Sequence, residues 1–376
     1  MPYLLKTRLL ATSLAILLAA SATIAAAEPS TDNLHTTLTK LATQNHICAV
    51  SVAIIKNRKL DSIESATGCE PPLALNADSV YQAASLGKPV FAYAVLQLVA
   101  QGKLDLDTPV LHYLPQGYQH AFAPFALKGD GQSELVTDPR FKKVTVRMVL
   151  NHTSGLPNWA SGPMGFEADP GTQWHYSGEG YVMLQRAVEA VTGEPLNAYM
   201  AQHVFKPMAM DHSDYVWSAP LAQQLVPGSK VDGTPRKTLK LTMPIAAASL
   251  YSSAADYGKF VTTVLGDERL LQQITAWPVV VDNSLNLSWG LGWGVERTQG
   301  DTLIWHWGNN PGYRAFVIAS VRTGDGFVML TNTENGLKLA PALTQKVLPG
   351  EHKIFGFSLL GGGLLETLCN AVHVCF

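Results

Sequence analysis

The sequence predicts a mixed α/β fold of the α+β type, in which one antiparallel sheet flanked by terminal helices carries a large helical insertion. Runs rich in β-branched and aromatic residues lie near the two ends of the chain, and helical patterns fill the region between them. The two groups of strands are expected to form a single sheet. The predicted strands are residues 49–56, 60–67, 302–307, 313–321 and 326–331.

Apolar residues recur at helical spacing near both termini, which predicts helices at residues 31–44 and 336–347. Between about residues 86 and 245 the sequence is helical and rich in loops, so we expect a second lobe inserted into the first. Both lobes would form one domain at residues 28–350, with a site in the crevice between them and a tail of unknown role at 351–376. The other predicted helices are residues 91–101, 144–151, 180–192 and 253–265.

Composition excludes several classes of protein. The chain of 376 residues is 47% hydrophobic and only 15% charged, which is too apolar for an intrinsically disordered protein. Its 31 Gly and 22 Pro follow no regular period, so collagen and repeat solenoids are excluded. With 27 Lys and Arg against 29 Asp and Glu, the chain lacks the positive charge of a nucleic-acid-binding protein, and we expect no nucleic-acid partner.

Residues 1–27 have the pattern of a cleavable export signal. Lys6 and Arg8 precede an apolar run at residues 9–20, and small residues then lead to a cleavage site after Ala27. The alternative is an uncleaved membrane anchor, since the segment after Arg8 is uncharged. No later segment is long and apolar enough to span a bilayer. We therefore expect a periplasmic or secreted protein without a stable membrane span.

Two disulfides are predicted from the four cysteines. Cys48 and Cys69 flank two strand-like runs joined by a polar turn at residues 56–59, and an antiparallel hairpin would place them opposite each other. Cys369 and Cys375 would form the second bridge. The alternative is four free thiols, which an oxidising compartment disfavours. No cysteine pair has the spacing of a zinc site, and we expect neither a metal nor a cofactor.

Ser85 and Lys88 form an S-x-x-K motif, which is weak by itself. Pro89 is tolerated in a helix only in the first turn, so Ser85 is expected at a helix N-terminus with Lys88 one turn further on. Ser85 has two possible roles, as the N-cap of the helix or as a nucleophile activated by the lysine. The second role needs a neutral Lys88, whose pKa must fall by roughly three units, or about 4 kcal/mol of differential stabilisation.

Other segments carry residues of interest with an ordinary structural alternative. Tyr176 precedes a predicted helix and has a phenol that could protonate a leaving group, although a packed aromatic residue is the alternative. Residues 151–156 resemble the end of a helix closed by a glycine turn. A lone histidine such as His306 is usually structural, whereas Gly308 within a strand permits close approach of another backbone or a ligand.

Six segments occur together in a characteristic order. They are residues 84–89 (ASLGKP), 151–157 (NHTSGLP), 176–181 (YSGEGY), 249–256 (SLYSSAAD), 290–294 (GLGWG) and 306–312 (HWGNNPG). Jointly they resemble the serine β-lactamase and penicillin-binding-protein-like superfamily over nearly the whole mature chain. The branch they resemble most is that of class C-type hydrolases, which includes D-Ala-D-Ala carboxypeptidases, esterases and D-aminopeptidases. The resemblance implies a β-lactamase/transpeptidase-like fold.

The resemblance also implies acyl transfer through a covalent intermediate. Ser85 matches the acylated nucleophile of the family, and Lys88 matches its general base. Tyr176 matches the tyrosine of the family's Y-x-N motif, which shuttles a proton to the leaving group. The substrate would be a small-molecule or peptidoglycan-like acyl compound.

Substrate binding is implied in the same way, with departures from the family pattern. His306 and Gly308 match the strand that docks substrate by main-chain hydrogen bonds, and the N–H groups of Ser85 and Asn309 match the oxyanion hole. The asparagine of Y-x-N is Gly178 here, which removes a polar group that reads an amide. His306 in place of a lysine removes a cation that would bind a β-lactam carboxylate.

These residues leave three functional hypotheses. The first is an exported serine acyl hydrolase. Within this class an esterase or generic acyl hydrolase is favoured, followed by a D-Ala-D-Ala carboxypeptidase and then a β-lactamase. The second is a low-turnover penicillin- or muropeptide-binding protein, because Gly178 departs from the motif. The third is an α/β-hydrolase, because residues 83–87 also match a loose A-x-S-x-G elbow; that fold requires a parallel βαβ series.

Overall fold

The strands form one large sheet and two small ones. The computed structural model of the protein describes residues 33–122 and 132–360. Its strands are β1 (Val50–Lys56), β2 (Lys59–Ala66), β3 (Val80–Ala84), β4 (Gln119–Ala121), β5 (Ser133–Leu135), β6 (Leu250–Ser253), β7 (Val279–Asp282), β8 (Leu287–Trp289), β9 (Gly294–Thr298), β10 (Asp301–Asn310), β11 (Tyr313–Ser320) and β12 (Gly326–Thr331). The large sheet has the order β2-β1-β12-β11-β10-β9-β8-β7.

The large sheet joins the two ends of the chain, as predicted. β1 pairs with β12 in a register that places Val50 opposite Thr331 and Ile55 opposite Gly326. Every neighbouring pair in this sheet is antiparallel, so the predicted fold class is confirmed. The α/β-hydrolase hypothesis is wrong because that fold is built on parallel strands. Strands β7, β8 and β9 are only three to five residues long and were not among the predicted strands.

The predicted helices that lie in the described part of the chain are present, with bounds shifted by a few residues. The α4 helix starts two residues earlier than predicted because the Ser177 hydroxyl accepts a hydrogen bond from the Gly180 N–H at 2.9 Å. The helices are α1 (Leu34–Gln44), α2 (Gly87–Ala100), α3 (Val146–Leu150), α4 (Gly178–Thr192), α5 (Leu196–Met200), α6 (Ala219–Gln224), α7 (Ala254–Gly266), α8 (Glu268–Thr275) and α9 (Ala340–Val347).

Helices cover both faces of the large sheet, which explains why its central strands are buried along most of their length. In β1, the side chains of Val50, Val52 and Ile54 pack in the cluster that includes α1 and α9. The alternating Ala53 and Ile55 pack in the cluster that includes α7. Each of these valine and isoleucine side chains contributes about 1.5–3 kcal/mol on burial.

A small sheet made of β3 and β6 connects the large sheet to the helical segments and leads directly to the S-x-x-K motif. A Cβ added at Gly308 of β10 would lie 2.2 Å from the Ala83 carbonyl oxygen of β3. The glycine therefore permits the close approach of another backbone. The sequence allowed either this role or the close approach of a ligand.

The described part of the C-terminal tail, residues 351–360, packs against the large sheet. Ile354 is fully buried. The Phe357 ring lies 5.7 Å from the Trp305 ring and 5.8 Å from the Trp307 ring, measured between centroids. The tail, which the sequence did not allow us to place, thus covers aromatic side chains of β10.

Cys48 and Cys69 form a disulfide across the β1–β2 hairpin, with Cα atoms 4.6 Å apart. The second predicted pair, Cys369 and Cys375, and the predicted export signal at residues 1–27 lie outside the described residues. Within the described ranges, the structure contains no helix with the length and apolar character needed to cross a membrane.

Removing the disulfide is expected to lower the free energy of unfolding by about 3 kcal/mol. The two cysteines are 21 residues apart, and releasing a loop of that length restores conformational entropy to the unfolded chain. Urea unfolding of the Cys48→Ser/Cys69→Ser variant against the oxidised wild type measures this loss. Equal stability of the two proteins would show that the bridge does not constrain the unfolded state.

Candidate active site

Ser85 lies in a tight connection between β3 and α2. Ala84 before it has a φ of 53°, in the left-handed region that non-glycine residues rarely adopt. The Leu86 N–H donates to the Ala83 carbonyl at 3.1 Å, and the Lys88 N–H donates to the Ser85 carbonyl at 2.9 Å. No side chain caps the start of α2, so the N-cap role considered for Ser85 is wrong.

The side chain of Lys88 is fully buried, and its amine lies beside the hydroxyl of Ser85. Lys88 Nζ is 3.0 Å from Ser85 Oγ and donates to the carbonyl oxygen of Ala247 at 2.8 Å. Burial lowers the pKa of Lys88 well below its usual value. The environment thus favours the neutral amine, which is the form that can accept the proton of Ser85.

The main-chain carbonyl of Ala247 orients both groups. It accepts hydrogen bonds from Lys88 Nζ and from Ser85 Oγ, the latter at 3.2 Å. The neighbouring Ala248 carbonyl accepts from Asn310 Nδ2 at 3.3 Å, which links this segment to the end of β10. Sequence reasoning missed Ala247 because the contact uses a backbone atom that any residue type provides.

Tyr176 covers the amine of Lys88 from one side. Lys88 Nζ lies 4.6 Å from the centroid of the Tyr176 ring. Tyr176 Oη is buried and has no partner at hydrogen-bond distance among the described residues. Burial raises the pKa of Tyr176 above its usual value, and an interaction with Ser85 offsets part of that rise. The phenol is therefore protonated and can act as a proton donor.

The end of β10 has one unpaired edge. β9 pairs with β10 only as far as Trp305, whereas β11 pairs along the other side as far as Asn310. In the described part of the chain no strand pairs with the remaining edge of residues 306–310. The Ser85 N–H has no acceptor among the described residues either. The oxyanion hole of Ser85 and Asn309 stays a prediction, with which these unpaired N–H groups are compatible.

His306 lies inside the protein rather than on an open surface. It is fully buried, and its Nδ1 donates to the Trp307 carbonyl at 2.8 Å. Burial, assisted by nearby Lys88, lowers the pKa of His306 to about 3, so the ring is neutral. The predicted role of His306 and Gly308 in substrate binding is therefore confined to their main-chain atoms, and it stays a prediction.

His152 is a residue of the site whose importance the sequence did not reveal. Residues 151–156 do follow the end of α3, as predicted, with Asn151 as the C-cap. The His152 imidazole, however, lies against the Tyr176 ring with a centroid distance of 4.4 Å. The described residues contain no group of three potential metal ligands that could make this a metal centre.

Gly178, at the position of the family's asparagine, has no room for a side chain. A Cβ there would lie 2.6 Å from Trp159 Cη2 and 2.7 Å from the Asn158 carbonyl oxygen. The Gly178 N–H donates to that carbonyl at 3.1 Å, and the Ala160 N–H donates to Glu179 Oε1 at 3.0 Å. The loop at residues 157–160 is thus fastened to the start of α4 and occupies this space.

Gly178→Asn is expected to lower the free energy of unfolding by about 1–3 kcal/mol or more, because the new side chain overpacks Trp159 and the Asn158 backbone. Gly193→Asn at the other end of α4 is the matched control. Gly193 has a φ of 73°, which asparagine tolerates, and open space around it. Urea unfolding should show less than about 1 kcal/mol of change for the control; equal losses in both variants would contradict the packing argument.

Comparison with known proteins places this site in a family. A sequence model described as Beta-lactamase matches residues 34–349. Esterase EstB of Burkholderia gladioli is 32% identical over 178 residues, which cover 39% of this chain and 41% of EstB. Penicillin-binding protein 4* of Bacillus subtilis strain 168 is 22% identical over 326 residues, or 75% of this chain and 66% of that protein. Several matches thus span about half of the relative or less.

Solved structures share the fold. The octameric penicillin-binding protein homologue from Pyrococcus abyssi superposes with a TM-score of 0.67 at 20% identity, covering 84% of this chain and 77% of that one. D-alanine carboxypeptidase AmpC from Burkholderia cenocepacia gives a TM-score of 0.65 at 19% identity, covering 83% and 96%. Since the sequence model matches most of the chain and the fold agrees, this protein belongs to the beta-lactamase family.

Proposed function

We propose that this protein is a serine acyl hydrolase that forms an acyl-enzyme on Ser85 and acts primarily on esters. The observation that carries this proposal is the buried amine of Lys88, 3.0 Å from Ser85 Oγ and covered by Tyr176. A nucleophile and a base at hydrogen-bond distance are the arrangement that activates a serine hydroxyl. Relatives named as an esterase and a D-alanine carboxypeptidase support the same class of chemistry.

In the acylation step, Ser85 Oγ attacks the carbonyl carbon of the substrate while its proton passes to Lys88 Nζ. The N–H groups of Ser85 and Asn309 bind the oxyanion of the tetrahedral intermediate, and one such donor is worth about 3–4 kcal/mol. The bond to the leaving oxygen then breaks. Tyr176 gives its proton to that oxygen and regains one from Lys88.

In the deacylation step, water attacks the acyl group on Ser85. The proton of the water passes through Tyr176 and Lys88, the acid is released, and Ser85 Oγ recovers its proton. Each group thus returns to its starting protonation state, and the cycle requires no cofactor.

The surroundings of the site favour esters over amides. The loop with Asn158 and Trp159 fills the space next to Gly178, so no carboxamide at this position of α4 forms a hydrogen bond with an amide of the substrate. His306 is neutral and buried, so it offers no cation to a substrate carboxylate. The alternatives are a D-Ala-D-Ala carboxypeptidase, a β-lactamase, or a binding protein that acylates but scarcely turns over.

Wild-type protein is expected to react with a fluorophosphonate probe and to hydrolyse p-nitrophenyl butyrate. Ser85→Ala should abolish labelling and lower kcat/KM by at least about 10³-fold, because the nucleophile is lost. Ester hydrolysis retained by Ser85→Ala would overturn the proposed function. Labelling by a fluorescent penicillin without steady-state turnover of any ester or amide would instead support the alternative of a low-turnover penicillin- or muropeptide-binding protein.

Lys88→Met is expected to abolish activity and yet raise the free energy of unfolding at pH 7. The folded-state pKa of Lys88 is depressed, so between it and the unfolded value of 10.5 the unfolded chain binds the extra proton and is favoured. Stability of the wild type should therefore rise with pH in this window, and the advantage of Lys88→Met should shrink. Urea unfolding at pH 7 and pH 9 measures this.

The control for this pair of measurements is Lys142→Met, at an exposed lysine. Its stability relative to wild type should not depend on pH between 7 and 9. A Lys88→Met variant that is less stable than wild type by the same amount at both pH values would show that burial of the amine carries no proton-linked cost.

We also propose that the protein is exported. The pattern of residues 1–27 and the Cys48–Cys69 disulfide support this, because disulfides persist in oxidising compartments. N-terminal sequencing of protein recovered from the periplasm or medium should begin at Glu28. Recovery of chains that begin at Met1 from the cytoplasm alone would contradict the proposal.

A further inference from the structure

His152 follows α3 in a backbone conformation that glycine usually takes. Asn151 is the C-cap of α3, and the next residue, His152, has a φ of 58°. A residue with a Cβ pays about 1–2 kcal/mol in this left-handed region, so glycine predominates at such positions. A fully buried histidine is retained here against that penalty, which points to a use for its side chain.

The backbone and the ring of His152 together hold the residues on both sides of Tyr176. The His175 N–H donates to the His152 carbonyl at 2.7 Å. The Ser177 N–H donates to His152 Nδ1 at 3.1 Å. Between these two bonds the Tyr176 ring lies against the imidazole, with centroids 4.4 Å apart. One residue thus fixes the main chain before and after Tyr176 as well as the plane of its ring.

The hydrogen bond from Ser177 determines the tautomer of His152. Because Nδ1 accepts an N–H, it carries no proton, and the proton of the neutral ring lies on Nε2. Burial lowers the pKa of His152 well below its usual value. The acceptor at Nδ1 is therefore preserved at neutral pH.

The imidazole is itself held in place by aromatic neighbours. The rings of Tyr181 and Trp289 each lie 5.2 Å from it, measured between centroids. Tyr181 Oη also donates to the carbonyl of Leu150, the last residue of α3, at 3.3 Å. The position of His152 is thus tied to α3, to α4 and to the large sheet, which makes it a rigid support.

We propose that His152 is a positioning residue, which sets the Tyr176 hydroxyl for proton transfer to the leaving group. This inference rests on the proposed function, in which Tyr176 protonates the departing oxygen. His152 acts only through Tyr176. A displacement of about 1 Å in a catalytic group can lower a rate about 10²-fold, so loss of this support should lower the rate of the catalysed reaction.

The choice of leaving group separates this role from a merely structural one. An alkoxide needs a proton as it departs, whereas p-nitrophenolate is a weak base that departs without one. A misplaced Tyr176 should therefore slow the hydrolysis of ethyl butyrate much more than that of p-nitrophenyl butyrate. General loss of folded protein would lower both rates equally.

The experiment measures kcat/KM for these two esters in three variants. Tyr176→Phe is the reference for a lost proton donor, and His152→Leu removes the acceptor for the Ser177 N–H. In both, the ethyl ester should lose at least about tenfold more than the p-nitrophenyl ester. His152→Asn, whose Oδ1 can replace Nδ1 as an acceptor, should recover part of the ethyl-ester activity.

His352→Leu is the control, since the His352 ring lies beyond α9, where Nδ1 contacts Glu296 Oε2 at 3.2 Å and Nε2 donates to the Leu348 carbonyl at 2.7 Å. It should affect both esters by the same factor. Equal losses on both esters in His152→Leu, with a selective loss in Tyr176→Phe, would overturn the inference. Ester hydrolysis that survives Ser85→Ala would overturn the proposed function instead.

A second measurement does not depend on turnover. The ¹⁵N NMR spectrum of the histidine side chains should contain an Nε2-protonated ring whose signals disappear in His152→Asn. An Nδ1-protonated ring for His152 would contradict the inference, because it could not accept from the Ser177 N–H. Should the wild type hydrolyse neither ester, the proposed function fails and this spectrum alone decides the inference.

Discussion

The burial of one primary amine is the constraint on which the site depends. An ammonium ion at Lys88 would carry a large desolvation penalty, so the fold holds the lysine as a free base beside Ser85. Among the described contacts of Lys88 no carboxylate stabilises the ammonium, since Ala247 contributes a carbonyl and Tyr176 an aromatic face. His306 is neutral and adds no charge. The protein thus obtains a base for neutral pH through low polarity, at some loss of stability.

Much of the fold could be predicted because it follows from residue periodicity. The bounds of β12 were predicted without error, and the pairing of terminal strands followed from their place in the chain. The short strands β7 to β9 could not be delimited, since the conformation of each depends on its pairing with neighbouring strands of the large sheet. The packing of Phe357 on Trp307 was equally hidden, because it is a tertiary contact of a segment without a local pattern.

The site was predictable where its chemistry resides in side chains. The side chains of Ser85, Lys88 and Tyr176 carry reactive groups and lie in motifs of the family. The structure brings them together. Ala247 acts through its carbonyl, for which the sequence carries no signal. His152 was taken for part of a helix end, because neither its φ nor its burial is visible in a sequence. Both of the missed groups orient the side chains that react.

The unpaired edge of residues 306–310 bears on how this protein can change over evolutionary time. In the proposed function its binding groups are N–H and C=O atoms, which remain when the exposed side chain of Asn309 is exchanged. Only proline deletes a donor there. An unpaired edge also invites pairing with a strand of another chain. Four of its five residues are buried, and the backbones of Ala83 in β3 and of Ala248 lie against Gly308 and Asn310, which limits the access of a strand from another chain to this edge.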